Sequence, residues 1–365
     1  MKVLHLSSAR TWRGGEQQIA WLHRGLAQRG VQQWIACVRD SELAHWCARE
    51  GHPYLPYRKA AAINPLPGKR VADWCRSKGI DLIHLHDSHA HTYGIFAQSL
   101  WGSRCPMVLS RRVDFPISPH AFSRWKYNHP SVRAIICVSD FIRRLLHSDL
   151  DRPERLQVVH DGIDLERFRF QKTGKLHREL GLAPDIPLIA NVAAIAPHKD
   201  YFTFVDTAAA LAGRLPKARF LIIGADGGEE AAIRAYIEQG GLGERIQLLG
   251  FRRDIPEILP EMELLLFTSK TEGLGSSLLD AFACRVPVVA TRAGGIPEIV
   301  LEGQTGLLAN IQAPEALAER VLELLNQPAK RRAITERASE FVQQFSGGVM
   351  AQKTLAIYRK VLEPR

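Results

Sequence analysis

Short apolar runs alternate with segments of helical periodicity along the first half of the chain. Between residues 15 and 29, apolar side chains recur at the spacing of one helix face. Alternation of strand and helix is typical of a parallel sheet that is covered on both faces. The predicted strands of this half are Val3–Leu6, Trp34–Val38, Asp81–His86, Pro106–Leu109 and Ala134–Val138.

The second half repeats the same rhythm after a polar segment with glycines near residues 161–175. Its predicted strands are Pro187–Ala193, Arg219–Ile223, Ile246–Leu249, Leu264–Thr268 and Val286–Ala290. We therefore expect an α/β protein with two Rossmann-like, doubly wound parallel-sheet domains facing a cleft, 1–168 and 169–347. The C-terminal helical pattern, 348–365, is expected to pack back on the first domain. Ligands are expected at the carboxyl ends of the strands.

Composition narrows the class of protein. The 365 residues, 46% hydrophobic and 24% charged, suffice for two ordinary cores. No run approaches the roughly 18 apolar residues that a membrane span needs, and the first residues read as a strand, so a cytoplasmic location is expected. The six cysteines form no C-x-x-C pair, which argues against a zinc site and a disulfide framework.

The positive charge is concentrated in one half. Residues 1–170 carry 25 basic and 15 acidic side chains, whereas residues 171–365 carry 23 of each. Such a field attracts anionic partners, for example phosphorylated lipids or lipopolysaccharide cores, although a merely soluble basic face has the same composition. Nucleic acid is not expected, because no nucleic-acid-binding motif accompanies the charge.

The segment from Thr271 to Ala281 carries the clearest chemistry. Two glycines, Gly273 and Gly275, follow a predicted strand and precede a predicted helix, so the backbone can turn tightly and approach a ligand. The first amides of that helix favour a pyrophosphate. Glu272 and Asp280 stand eight residues apart, and a carboxylate at the second position can accept hydrogen bonds from a ribose diol.

This segment resembles the E-x7-E motif of retaining GT-B glycosyltransferases of family GT4, with Asp280 in place of the second glutamate. Other blocks agree in order, from Leu221–Gly224 to Gly294–Glu298 and Gly303–Leu308. The resemblance implies that Glu272 contacts the donor sugar and that Asp280 contacts the ribose. The implied donor-binding residues are Gly14, Gly15, Lys199, Gly224, Gly250, Phe251, Glu272, Gly273, Leu274, Gly275, Ser276, Ser277 and Asp280.

The family also supplies an arginine and a lysine to the donor phosphates. Lys199 matches the lysine, but Ala194 occupies the place of the arginine. We expect Arg10, Arg13 or His198 to compensate. A lysine neutralises phosphate without a metal, so no essential metal ion and no further cofactor is expected.

The acceptor is expected to bind the first half. The loop 8–16 resembles the glycine-rich loop of the family, and Arg112 stands where many members have a histidine. His84, His86 and His89 could suggest a metal site, but without a cysteine partner we expect contacts to sugar hydroxyls from His89 or His91, or a structural role. The implied catalytic residues are Glu272, Lys199 and His89, and the candidate acceptor-binding residues are Arg13, His89, Arg111, Arg112, Ser139 and Arg143.

The predicted activity is transfer of a sugar from an NDP-sugar to a hydroxyl of an anionic glycan or a lipid-linked acceptor, in bacterial envelope polysaccharide or lipopolysaccharide synthesis. Retention of configuration is implied by the resemblance alone. Aromatic residues near basic ones, such as Phe122 and Trp125, are expected to lie either on the inner face of the cytoplasmic membrane or in the core. A sugar phosphorylase and a non-catalytic glycan-binding relative stay open as alternatives. A nicotinamide oxidoreductase is disfavoured, because the segment 224–228 lacks the G-x-G-x-x-G spacing.

Overall fold

The computed structural model describes residues 1–59 and 64–363, which form two compact units. Unit 1 comprises residues 1–162 together with the chain from Gly347 onward, and unit 2 comprises Ile163–Ser346. The chain therefore passes from unit 1 to unit 2 after Gly162, whereas the sequence analysis predicts the boundary after residue 168.

The elements alternate as the sequence pattern predicts. The strands are β1 (Lys2–Leu6), β2 (Gln32–Val38), β3 (Tyr54–Tyr57), β4 (Leu82–Leu85), β5 (Met107–Arg111), β6 (Val132–Cys137), β7 (Leu156–Val158), β8 (Leu188–Val192), β9 (Arg219–Ile223), β10 (Ile246–Gly250), β11 (Leu264–Phe267), β12 (Val288–Thr291) and β13 (Leu307–Ala309). The helices are α1 (Gly14–Ala27), α2 (Glu42–Arg49), α3 (Leu66–Lys78), α4 (Ser88–Ser99), α5 (Ala121–Asn128), α6 (Asp140–His147), α7 (Lys175–Glu179), α8 (Tyr201–Leu211), α9 (Glu230–Gln239), α10 (Ile255–Ile258), α11 (Ser276–Ala283), α12 (Pro314–Asn326), α13 (Pro328–Phe341) and α14 (Gly347–Leu362).

Each unit contains one parallel sheet. The sheet of unit 1 has the strand order β3-β2-β1-β4-β5-β6-β7, and that of unit 2 has the order β10-β9-β8-β11-β12-β13. In both sheets the order reverses beside the first strand, between β1 and β4 and between β8 and β11. Crevices at such reversals, outside the carboxyl ends of the strands, are where doubly wound sheets bind ligands.

The central strands are apolar on both faces because helices cover both sides of each sheet. All of β11 and β12 is buried, and β8, β9 and the helices α8 and α12 contribute to the same core. This rigid sheet fixes the position of the loops that follow β8 and β11. No helix in the described ranges is long and apolar enough to cross a bilayer.

The C-terminal helix belongs to unit 1, as the sequence predicts. A side chain at Gly25 of α1 would lie 2.5 Å from Cβ of Ala351, so the glycine allows α14 to pack closely on α1. Gln18 holds the end of the first segment in place, because its amide accepts from the nitrogen of Gly162 (2.9 Å) and donates to its carbonyl (2.8 Å). Unit 1 is thus completed by residues from both ends of the chain.

Candidate active site

Lys199 and Glu272 lie at the strand-order reversal of unit 2. Lys199 follows β8, Glu272 follows β11, and these two strands are neighbours in the sheet. Their side chains form an ion pair in which the lysine ammonium donates to Oε2 of the glutamate, and their side chains are only 13% and 15% exposed. Two residues from separate motifs of the sequence therefore meet at the carboxyl edge of the sheet.

The loop that carries Lys199 is fixed from β11. The hydroxyl of Thr268 donates to the carbonyl oxygens of Lys199 (3.2 Å) and Asp200 (3.0 Å). Asp200 is buried with a φ of +53°, and its side chain caps α8 by accepting from the nitrogen of Thr203. These bonds hold the lysine beside Glu272 without using the lysine side chain itself.

A tight turn precedes α11. Gly275 has a φ of +89°, in the left-handed region where glycine is favoured, and Ser276 begins the helix. Gly273 and Leu274 are buried, whereas Ser276 and Ser277 are partly exposed. The first amides of a helix have no partner within that helix, so this turn has N–H donors that an anion could use.

A second glycine turn supports Glu272 from behind, and the predicted site does not include it. The nitrogen of Gly295 donates to the carbonyl oxygen of Glu272 at 2.9 Å. Gly294 has a φ of +52°, and a Cβ there would lie 2.1 Å from the same carbonyl oxygen. The adjacent glycines Gly294 and Gly295 are the sequence signal for this close backbone approach. The approach in turn fixes the backbone of Glu272.

Asp280 lies on α11, where the resemblance implies a ribose contact. Its Oδ1 is buried and has no hydrogen-bond partner in the described structure. Burial raises the pKa of this carboxyl to about 8, although the nearby charge of Arg167 lowers it in part. The group is therefore mainly protonated at neutral pH, which differs from the ionised carboxylate that the sequence suggests.

Two other implied donor residues follow β9 and β10. A Cβ at Gly224 would lie 1.8 Å from the carbonyl oxygen of Ala193, so this glycine lets the loops after β8 and β9 approach each other. Gly250 ends β10 with a φ of +65°, and the next residue, Phe251, exposes 57% of its surface. The structure thus gives Gly224 a backbone role, and it leaves the ring of Phe251 accessible for stacking.

Lys270 is a cation of this region that the predicted site does not include. Its nitrogen donates to the carbonyl of His198 (2.8 Å), and its ammonium lies 3.4 Å from Oδ1 of Asp200. Its side chain is 40% exposed. A second lysine therefore lies against the loop of Lys199, within the same unit as Ala194. The sequence signal that could have identified Lys270 is its position between the end of β11 and Glu272.

The loop after β1 in unit 1 is held by polar contacts. The nitrogen and hydroxyl of Ser8 donate to the two carboxylate oxygens of Asp87, at 2.5 and 2.6 Å. The nitrogen of Arg13 donates to Glu16 at 3.0 Å, and α1 then starts at Gly14. A Cβ at Gly14 or at Gly15 would meet no atom within 4 Å. Packing inside unit 1 therefore does not require glycine at either position.

Histidines form a buried cluster beside this loop. Nδ1 of His5 lies 3.0 Å from Nε2 of His86, and ligand atoms of His5, His84 and His86 lie within 4.8 Å of one another. Burial lowers the pKa of His5 to about 4 and those of His84 and His86 well below the usual value, so all three are neutral at pH 7. His84 also contacts Tyr358 (2.5 Å) and Ser110 (2.8 Å) through its two nitrogens. These histidines could ligate a metal. Both ring nitrogens of His5 and of His84, however, already have protein partners.

Two candidate acceptor residues lie at the end of β5, where Arg111 is the last residue of the strand and Arg112 follows it. Arg111 is buried against Phe115 and donates to the hydroxyl of Tyr127 at 2.8 Å. Nε of Arg112 donates to Asp161 at 3.2 Å. Both guanidinium groups therefore have bonds within unit 1, while Nε of Arg111 and one terminal nitrogen of Arg112 are buried without a hydrogen-bond partner in the described structure.

The remaining candidate acceptor residues lie at two helix starts. Ser139 is buried and caps α6 by accepting from the nitrogen of Ile142, so the fold uses its hydroxyl. Nε of Arg143 donates to Asp140 at 2.6 Å, and its side chain is 40% exposed. His89 is half-buried near the start of α4, where burial lowers its pKa. His89 and Arg143 are therefore more accessible than Arg111 and Arg112.

Comparison with known proteins assigns both halves of the chain. Residues 12–167 match the family model Glycosyltransferase Family 4, and residues 172–341 match Glycosyl transferases group 1. An uncharacterized glycosyltransferase of Methanocaldococcus jannaschii is 30% identical over 81% of this chain and 78% of its own length. N-acetyl-alpha-D-glucosaminyl L-malate synthase of Bacillus anthracis is 26% identical over 85% of this chain and 81% of its own length.

Solved structures agree on the fold. The crystal structure of HepE from Anabaena in complex with UDP and glucose superposes with a TM-score of 0.87 at 22% identity, covering 99% of this chain and 100% of that one. The two doubly wound parallel sheets are those that the GT-B resemblance implies. The chain belongs to the group 1 glycosyltransferases of family 4, and it has their GT-B fold.

Proposed function

We propose that this enzyme transfers a hexose from a nucleoside-diphosphate sugar to a hydroxyl group of an anionic glycan or lipid-linked acceptor. The ion pair between Lys199 and Glu272, beside the N-terminus of α11, carries the proposal. A pyrophosphate at this turn would bind the helix amides and the ammonium of Lys199. Oε1 of Glu272, which the ion pair does not use, would accept hydrogen bonds from sugar hydroxyls.

The proposed chemistry uses charge stabilisation on the leaving group. When the glycosidic bond to the donor breaks, negative charge develops on the diphosphate. Lys199 and the amides of Gly275, Ser276 and Ser277 are placed to stabilise that charge. Attack from the same face, assisted by the leaving phosphate, retains the anomeric configuration and needs no side-chain nucleophile or metal ion.

The acceptor is proposed to carry negative charge. The basic surplus of the chain lies in residues 1–170, where His89, Arg13 and Arg143 are the candidate contacts. The relative from Bacillus anthracis is named for L-malate, a dicarboxylate, which supports an anionic acceptor in this family. An envelope glycan or a lipopolysaccharide core with phosphate groups fits the same chemistry.

Contact with the inner face of the cytoplasmic membrane is proposed through α5. Phe122 and Trp125 are exposed on this helix with their rings 5.7 Å apart, and Phe115 is exposed on the preceding loop, whereas Tyr127 is buried. Arg124 is exposed beside them. Binding to phosphatidylglycerol vesicles that falls in the Phe122→Ser/Trp125→Ser variant would support this contact, and unchanged binding would contradict it.

The donor proposal is tested by calorimetry with UDP, GDP, ADP and CMP, with magnesium and with EDTA. We expect one nucleotide to bind in EDTA, and Lys199→Ala to weaken it at least tenfold, since a charge-assisted hydrogen bond contributes about 1.5–3 kcal/mol. Lys217→Ala, which changes an exposed lysine, is the matched control. A folded protein that binds no nucleotide but cleaves a glycan with phosphate would instead be a phosphorylase, and one that binds glycan alone would be a non-catalytic relative.

A further inference from the structure

A groove with a volume of about 360 Å³ lies on unit 2, between the segment 165–170, the end of α11 and the last part of α13. Small-molecule sites usually have volumes of roughly 300–1,000 Å³. None of the residues that line the groove is acidic, and two of them, Arg169 and Arg285, are arginines. Ser339 and Gln343 add polar groups, and the exposed ring of Phe170 forms one wall.

The groove is distinct from the donor turn. Arg285 lies two residues after the last residue of α11, whereas Gly275 directly precedes its first residue. The two ends of this eight-residue helix are about 12 Å apart. The donor turn lies at the carboxyl edge of the sheet. Arg285 lies at the opposite edge, just before the chain enters β12 at Val288.

Arg285 has a backbone conformation that favours glycine. Its φ is +53°, its nitrogen donates to the carbonyl of Phe282 (3.1 Å), and the nitrogen of Val286 donates to that of Ala281 (2.9 Å). This hydrogen-bond pattern is typical of a helix C-terminus that ends in a residue with left-handed backbone. Glycine is usual at that residue, because a Cβ is unfavourable there. Arg285 is the sole basic residue among the non-glycine positions with positive φ in the described ranges. An arginine at a position where the backbone favours glycine indicates that its side chain has a function.

The charges of the two arginines are uncompensated in the described structure. The side chain of Arg285 has no hydrogen bond or ion pair there, and that of Arg169 makes one bond, from Nε to the carbonyl of Glu166 at 2.9 Å. The terminal nitrogens of both remain available as donors. Guanidinium groups bind phosphate oxygens in pairs of parallel hydrogen bonds, and an anion between the two arginines would remove their mutual repulsion.

We propose that this groove binds a phosphate group, either of a small molecule or of a lipid headgroup, outside the donor site. Inorganic phosphate is the first probe. At ten times its dissociation constant it should raise the melting temperature of the full-length protein by about 2 °C. Hydrogen exchange should slow in the segments 164–170 and 283–287.

Variants at the two arginines separate protein stability from phosphate binding. Arg285→Gly relieves the positive φ, so we expect it to raise the melting temperature in buffer without phosphate and yet to abolish the response to phosphate. Arg169→Gln should also abolish the response, whereas Arg332→Gln, on the exposed face of α13, should retain it. A phosphate response that persists in both groove variants, or that disappears only in Lys199→Ala, would overturn the proposal and assign the phosphate to another site.

Vesicles distinguish the source of the phosphate. Phosphatidylglycerol vesicles that bind the wild type, and bind the Arg169→Gln/Arg285→Gly variant at least threefold more weakly, would identify a lipid headgroup. A response to inorganic phosphate, with vesicle binding the same in both proteins, would identify a small molecule. If neither probe separates the variant from the wild type, the groove is not a phosphate site.

Discussion

Replacement of Asp280 with asparagine should stabilise the protein increasingly as the pH rises. The folded carboxyl has a pKa of about 8, against an ordinary value of 3.8. Between these two values the folded state holds a proton that the unfolded state has lost, so the stability of the wild type falls by about 1.4 kcal/mol per pH unit. From pH 6 to pH 8 the loss is about 2–3 kcal/mol. Asparagine has the same shape and does not titrate, so Asp280→Asn should not share this loss.

The measurement is urea unfolding of both proteins at pH 6, 7 and 8. The difference in unfolding free energy should widen by about 2–3 kcal/mol across this range in favour of the variant. Asp185→Asn is the control, because that side chain is 68% exposed. Parallel stability curves for the wild type and Asp280→Asn would show that Asp280 is not a buried, protonated carboxyl, and the reasoning would fail.

The same proton affects binding: nucleotide affinity should increase by up to about tenfold from pH 7 to pH 8.5, because ionisation of Asp280 lets both of its oxygens accept from ribose hydroxyls, and calorimetry on Asp280→Asn should show a flat profile. Lys270→Ala should weaken the binding of a nucleoside diphosphate by about tenfold, and adding Ala194→Arg, at an exposed position of the loop after β8, should restore it; no recovery would argue against a shared phosphate role. Gly294→Ala should destabilise the protein by about 3 kcal/mol or more through its clash with a carbonyl oxygen, whereas Gly303→Ala, with a similar φ of +69° and open space, should cost about 1–2 kcal/mol in thermal unfolding.

The strands that the sequence pattern leaves out are edge strands. β3, β7 and β13 have three or four residues and lie at the ends of their sheets. The strands at the centre need apolar side chains on both faces, which produces the uninterrupted runs that the pattern detects. An edge strand has a neighbour on one side only, and Tyr54–Tyr57 even includes a proline, which edge positions tolerate.

The candidate donor site could largely be predicted from the sequence, because its residues are marked by local backbone geometry. A strand end, two glycines and a helix start stand within a dozen residues around Gly275, and Lys199 follows the neighbouring strand. The acceptor side is less readable, because an arginine looks the same in a sequence whether it is free or bonded. Arg112 bonds Asp161, 49 positions away, and this pairing has no local signature.

The route of the chain through the units sets an order for synthesis. Unit 2 is a continuous segment, Ile163–Ser346, and can fold as soon as that segment leaves the ribosome. Unit 1 begins first but is completed last, because the close contact of Gly25 with Ala351 forms only after the final helix emerges. A nascent chain therefore leaves the surface of α1 around Gly25, which packs on α14, uncovered throughout translation of unit 2. Ribosome-bound chains stalled before residue 347 should need chaperone protection of α1 that released full-length protein does not.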